Sequence, residues 1–175
     1  IMVTGSHNPS EYNGFKMVFN KHSFFAEDIQ SLQKLIEDKR LELLEGQIIN
    51  QDITNEYIDR NLLNIKLKRK LKIAWDPGNG AMGKVIREIT SKLTNSHNII
   101  INEEVDGNFP NHHPDPTVPK NMKQLIETVK KNDCDVGLAF DGDGDRLGVI
   151  DNTGRPISGD KLLLILANEL LKKKK

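Results

Sequence analysis

Three carboxylates alternate with glycines in Asp141-Gly142-Asp143-Gly144-Asp145-Arg146, immediately after an apolar run. Alternate residues can point one way, and glycine lets the backbone wrap a small ion closely. Carboxylates crowded in this way repel one another unless a cation neutralises them. Hard oxygen ligands favour Mg²⁺ or Ca²⁺ over zinc. An EF-hand loop would need glycine at its sixth position and glutamate at its twelfth; this chain has Arg146 and Asn152 there, between flanks that read as strands. That calcium module is disfavoured, and the metal-free alternative is a solvated acidic turn. A second candidate is Thr4-Gly5-Ser6-His7-Asn8-Pro9, where a hydroxyl stands beside an imidazole on a loop that proline stiffens. Serine becomes a covalent nucleophile when a base or a metal activates it. Taken alone this signal is weak, because Ser, Asn and Pro are ordinary loop residues.

Two further groups carry less weight. His112, His113 and Asp115 have zinc-ligand chemistry, but adjacent histidines seldom converge on one ion, so a surface or interdomain loop is expected. Asp76-Pro77-Gly78-Asn79-Gly80 precedes a helical pattern; it could cradle an anion at the helix's positive end or simply be a strand-to-helix turn.

The elements that must position these loops follow from periodicity. Ile1–Thr4 reads as the end of a strand, Gly5–Asn13 as a loop, and Asn13-Gly14 as a hairpin or tight turn before the apolar run Phe15–Phe19. Ile29, Leu32 and Ile36 recur at helical spacing, as do Ile53, Tyr57, Ile58 and Leu62. From Leu71 the pattern becomes strand (Lys72–Trp75), turn, helix (Met82, Val85, Ile86, Ile89, Leu93) and strand (Ile99–Ile101). A Pro- and Asn-rich loop, Val105–Val118, leads to a helix with Pro119 in its first turn and Met122, Leu125, Ile126 and Val129 on one side. Val136–Phe140 is another strand, Leu147–Ile150 an antiparallel return, Asp151–Gly154 a turn, and Leu162, Leu163, Leu166 and Leu170 open a last helix. This βαβαβ alternation predicts a layered α/β domain with helices packed on a largely parallel sheet.

The 175 residues include 25 Lys+Arg and 25 Asp+Glu, a balance that excludes a generally basic nucleic-acid or membrane binder. With 37% hydrophobic residues the chain can bury a core. Its longest apolar run, Leu162–Ala167, is far short of the roughly 20 residues that span a bilayer. Cys134 is the single cysteine, so no intrachain disulfide forms and a reducing, cytoplasmic location is expected. The opening Ile1-Met2-Val3-Thr4 has no signal-peptide layout and the terminal Lys172–Lys175 has no helix stop before it; both ends read as cuts in a longer chain, and the lysines as solvated helix surface.

Together the two loops are far more specific than either alone. In this order and separation they resemble the α-D-phosphohexomutase superfamily: Thr4–Pro9 is similar to its phosphoserine loop, Tyr12-Asn13-Gly14-Phe15-Lys16 to the segment after it, and Asp141–Arg146 to its metal loop. The stretch Asn108–Thr117, with His112-His113-Pro114-Asp115-Pro116, resembles the bacterial phosphomannomutase/phosphoglucomutase branch and argues against the phosphoglucosamine mutase branch. The resemblance covers essentially the whole chain. It implies layered mixed sheets with flanking helices in two consecutive phosphohexomutase-type α/β domains: residues 1–68 an incomplete domain I, 69–157 domain II, and 158–175 the start of domain III. It further implies a phosphorylated Ser6, with Mg²⁺ held by Asp141, Asp143, Asp145 and a phosphate oxygen on Ser6. His7 and Lys16 would move protons, Arg146 would contact phosphate, and a hexose phosphate would be isomerised through a sugar bisphosphate. The sugar-recognition and substrate-phosphate loops of the later domains are not found here, so little or no mutase turnover is expected from these residues alone. Two other classes remain open: a metal-dependent phosphatase and a non-catalytic Ca²⁺-binding module.

Overall fold

The computed structural model describes residues 1–39 and 45–172. The lysine tail beyond Lys172 lies outside them. Two sheets organise the chain. The larger has five strands in the order β5-β4-β6-β7-β8, with β4 Leu71–Asp76, β5 Ser96–Ile100, β6 Val136–Phe140, β7 Leu147–Asp151 and β8 Pro156–Ile157. β4 pairs parallel with both β5 and β6, with Ala74 opposite Ile99 and Gly137, whereas β7 returns antiparallel to β6 and β8 to β7.

Helix α3 (Met82–Lys92) joins β4 to β5, and a 3-10 turn at Pro119–Met122 leads into α4 (Lys123–Lys131), which returns the chain to β6. The two crossovers run in opposite directions across the sheet, and right-handed connections therefore put the helices on opposite faces. The side-chain clusters agree. Ile73, Trp75 and Ile86 pack on one face with Met82, Leu138 and Phe140 against them. Ala74, Met122, Leu125, Val129, Cys134, Ala139 and Ile150 form the other. Covered on both sides, β4 is apolar at successive positions, as a central parallel strand must be. The Trp75 ring stacks on Phe140 with centroids 6.4 Å apart, and its indole N–H donates to Asn98 Oδ1 at 3.0 Å, which satisfies its one polar atom.

The smaller sheet is an antiparallel meander of β1 (Met2–Val3), β2 (Phe15–Phe19) and β3 (His22–Phe24). Here the expectation at Asn13-Gly14 is corrected. These residues bring the eleven-residue excursion 4–14 back to β1 rather than forming a tight hairpin turn, and Thr4 N–H donates to Gly14 O at 3.0 Å at that closure. The tight hairpin is one turn later, at Asn20-Lys21, both with positive φ (49° and 67°), the backbone sense that matches strand twist. Helices α1 (Glu27–Glu37), α2 (Thr54–Leu62) and α5 (Gly159–Lys172) complete the fold. α2 buries Ile58 fully and is tied to α3 by an ion pair between Lys92 Nζ and Asp59 Oδ1 at 2.8 Å. Among the described residues no helix is long and apolar enough to cross a membrane.

Candidate functional site

The two candidate loops meet at the C-terminal end of β6. Residues 141–146 follow that strand directly, and residues 4–13 leave β1. Asp141 is fully buried, and its Oδ1 accepts the Arg146 backbone N–H at 3.0 Å, so the loop folds back on its own first residue. Gly142 is then pressed against the serine loop. A Cβ built there would lie 2.0 Å from the Ser6 carbonyl oxygen, so only glycine lets the loops approach this closely.

Ser6 sits at a sharp bend with φ 53°, a left-handed conformation uncommon for a residue with a side chain. The Thr4 hydroxyl holds the bend by accepting the Ser6 N–H at 2.8 Å and donating to Asp143 Oδ2 at 2.9 Å. As a result Ser6 Oγ stands 3.2 Å from Asp141 Oδ2, 3.3 Å from Asp143 Oδ1 and 3.1 Å from His7 Nδ1. One hydroxyl proton cannot fully serve both carboxylate oxygens. A hydroxyl so crowded by oxygen acceptors is suited to share a cation with them, and Asp141, Asp143 and Asp145 each offer an oxygen within 4.8 Å of the others. This donor set, hard oxygens without sulfur or imidazole at its centre, fits a small divalent cation.

Two cations of the chain itself border the cluster. Lys16, on β2, reaches Asp145 Oδ2 at 2.9 Å and Asp143 Oδ2 at 3.1 Å, and these carboxylates hold its ammonium above the usual lysine range. For Asp143, burial pushes the carboxyl up, but the Thr4 hydroxyl and the Lys16 ammonium outweigh it and the net shift is downward. Arg146 lies with Nε 3.9 Å from Asp141 Oδ2 and Nη1 3.7 Å from Asp115 Oδ2, beside the cluster. Asp115 is in turn held below the ordinary carboxylate range. Burial opposes this, whereas the Thr117 hydroxyl and N–H, Arg146 and His7 favour the charge.

Ser6, His7, Lys16, Asp141, Asp143, Asp145 and Arg146 thus share one face of the molecule, although up to 137 positions separate the partners. The zinc-type trio does not converge. His112 turns inward to Asp76, His113 lies edge-on to His7 with centroids 6.1 Å apart, and Asp115 faces Arg146. Within this loop Asn111 and His113 are exposed, whereas His112 turns inward, its side chain only 14% exposed. Thr4 and Asp115 are the residues whose contacts sequence reasoning did not foresee. Thr4 opens the serine motif and Asp115 lies in the Asn108–Thr117 stretch, but the distant partner of each leaves no local signal.

Comparison with known proteins gives three findings. Residues 54–154 match the family described as phosphoglucomutase/phosphomannomutase, alpha/beta/alpha domain II, and residues 1–42 match its domain I. A phosphomannomutase/phosphoglucomutase from Pseudomonas putida is 45% identical over 171 residues, covering 98% of this chain, and a phosphoglucomutase from Neisseria meningitidis serogroup A is 43% identical over 173. The chain spans 37% of the length of each. A crystal structure of a phosphoglucomutase/phosphomannomutase family protein from Burkholderia thailandensis superposes with a TM-score of 0.92 at 42% identity, over 98% of this chain and 37% of that one.

Proposed function

Because the chain belongs to the phosphoglucomutase/phosphomannomutase family, we propose that it carries the phosphoserine and metal half of a phosphohexomutase site, in a protein that interconverts hexose 1-phosphates and hexose 6-phosphates of mannose or glucose. The observation that carries this reading is the approach of Ser6 Oγ to within 3.2 and 3.3 Å of two carboxylates 135 and 137 positions later. In this reading residues 1–68 are part of domain I, 69–157 domain II and 158–175 the start of domain III. The His112–Thr117 stretch favours the phosphomannomutase/phosphoglucomutase branch over phosphoglucosamine mutase.

Phosphoryl transfer demands in-line positioning and charge neutralisation more than covalent chemistry from the protein. Ser6 is assigned as the carrier. Its P–O bond breaks as a new P–O bond forms to the sugar hydroxyl, and the return transfer from the bisphosphorylated sugar regenerates phosphoserine and releases the isomeric monophosphate. Asp141, Asp143 and Asp145, with the Ser6 oxygen or its phosphate, are the residues that would hold Mg²⁺, which when bound neutralises phosphate charge as a Lewis acid. His7 lies at hydrogen-bond distance from Ser6 Oγ, which suits it to move a proton between serine and sugar hydroxyl. Lys16 is the second proton carrier and a counter-charge to the carboxylates. Arg146, two donors of which already lean toward carboxylates, can turn its guanidinium fork onto phosphate oxygens. The lone, buried Cys134 thiol is in keeping with a cytoplasmic location.

Intact-mass measurement and peptide mapping of the freshly purified full-length protein test the carrier directly: a phosphate on Ser6 is expected, and its absence after incubation with glucose 1,6-bisphosphate and Mg²⁺ overturns the reading. Release of inorganic phosphate without isomer formation would identify a phosphatase. Ca²⁺ binding with Ser6 never phosphorylated would identify a calcium module. Residues 1–175 alone are expected to show little or no net isomerisation in a coupled assay, since the sugar- and substrate-phosphate-binding loops of the family lie outside them.

A further inference from the structure

Asp76 ends β4 with its carboxylate fully buried and both oxygens in use. Oδ1 accepts from the Gly78 N–H and from Asn102 Nδ2, each at 3.0 Å, while Oδ2 faces His112 Nε2 at 2.9 Å. The other ring nitrogen of His112, Nδ1, faces the His113 carbonyl oxygen, also at 2.9 Å. Both partners are acceptors, and a neutral imidazole has one donor. Facing an ionised carboxylate and a carbonyl oxygen, the ring satisfies both as an imidazolium. The Asp76 hydrogen bond correspondingly holds His112 above the ordinary histidine value, against the opposing effect of burial.

The chain beyond His112 cannot drift. Gly78 has φ 57°, and a Cβ placed on it would come 3.1 Å from the Pro114 Cβ and 3.4 Å from His112 Cε1, so residues 112–114 lie directly on this turn. Pro114 is fully buried. The same turn supports the acidic loop, because Ala81 N–H donates to Gly142 O at 2.9 Å. Residues 113 and 115 then enter the site, His113 against the His7 ring and Asp115 against Arg146.

We propose that the buried Asp76–His112 pair is the positioning device of this site: by clamping residues 112–115 onto the turn that also carries the acidic loop, it sets where the His7 imidazole and the Arg146 guanidinium stand relative to Ser6. Neither Asp76 nor His112 touches the reacting atoms. They act through His113 and Asp115.

The test uses the full chain, uniformly labelled with ¹⁵N. Long-range ¹H–¹⁵N spectra are expected to show both His112 nitrogens protonated at neutral pH. In His112→Gln and Asp76→Asn the His7 and His113 ring resonances and the Arg146 Nε–H should shift, with backbone dispersion of the sheet retained. Unchanged His7 and Arg146 signals in a folded variant overturn the proposal. Should either variant fail to fold, His113→Ala, which leaves the buried pair intact, must still move His7, and an unmoved His7 there overturns it too. The kinetic consequence rests on the phosphoryl-transfer reading above. In the full-length protein, uptake of phosphate by Ser6 from glucose 1,6-bisphosphate should slow about 10–100-fold in His112→Gln, with the apparent KM changed less than about threefold. Combined with Asp115→Asn the loss should be less than the product of the single losses, and multiplicative losses count against the proposal. If the parent chain takes up no phosphate, the mutase reading fails while the spectra still decide the positioning role.

Discussion

The site draws half its groups from a well-packed region and half from a thin one. The sheet of β4 to β8 with α3, α4 and the segments that join them contains all the buried hydrophobic residues among the described ones except Ile58. The meander β1–β3, which carries Ser6 and Lys16, leaves Met2, Val3, Phe15, Val18 and Phe19 exposed. The acidic loop therefore inherits its geometry from a core, whereas the serine loop is held by a few polar contacts and one backbone approach. A carrier group needs to be set accurately only against the metal ligands, and docking it on Gly142, Asp141 and Asp143 achieves that with little core of its own.

Truncations separate the regions most sharply. Leu125→Ala, inside the α4 cluster, should cost about 2–5 kcal/mol, against within about 0.5 kcal/mol for Val18→Ala on the exposed meander, both read from urea midpoints. Similar losses at the two sites would mean that the meander is packed as tightly as the main sheet. Gly142→Ala attacks the joint. Because its Cβ would lie 2.0 Å from the Ser6 carbonyl oxygen, Ser6 phosphorylation from glucose 1,6-bisphosphate should fall about 100-fold, with the denaturation midpoint of the main sheet little changed; normal phosphorylation would show that the loops can part freely. Asp143→Asn removes one charge of the trio and one of the two carboxylate oxygens that Thr4, Ser6 and Lys16 share. Calorimetric Mg²⁺ affinity should drop at least about tenfold, and an unchanged affinity would place the ion elsewhere.

A pH experiment probes the frame beneath both loops. His112 is raised above its unfolded value near 6.5 by Asp76, so the stability it contributes is fully present below that value. It is lost as the pH climbs through the higher folded value. The parent chain should thus lose urea resistance from about pH 6 into the alkaline range more steeply than His112→Gln, and parallel curves would contradict the assignment. The smallest effect belongs to the exposed pair joining α2 and α3. Lys92→Ala should change stability by at most about 0.5 kcal/mol, and a larger change in thermal unfolding would show that α2 depends on it.

The strands and helices of the main sheet were legible because burial on one or both faces writes a period into the sequence. α3 and α4 keep their apolar stripes, and β6 and β7 their apolar runs, on either side of the acidic loop. β5 began earlier than its apolar residues suggest, at Ser96, since its first residues pair by backbone opposite Leu71 and Lys72 and need no apolar side chain. β3 and the Asn20-Lys21 turn left almost no trace, because lysine at positive φ has no compositional signature.

What the sequence determined by itself was chemistry and local form: an oxygen-ligand trio after a strand, a hydroxyl beside an imidazole, and a layered α/β frame, all consequences of residue type and short-range spacing. That the trio and the hydroxyl share one site followed from resemblance and not from local pattern; the tertiary structure brings them together, and it alone decided that His112 faces inward to Asp76 and that Thr4 and Asp115 brace the groups around them. Those contacts span up to 139 positions. No local pattern encodes them, since they arise when sheet pairing and the missing side chain of Gly142 bring distant loops to the same strand end.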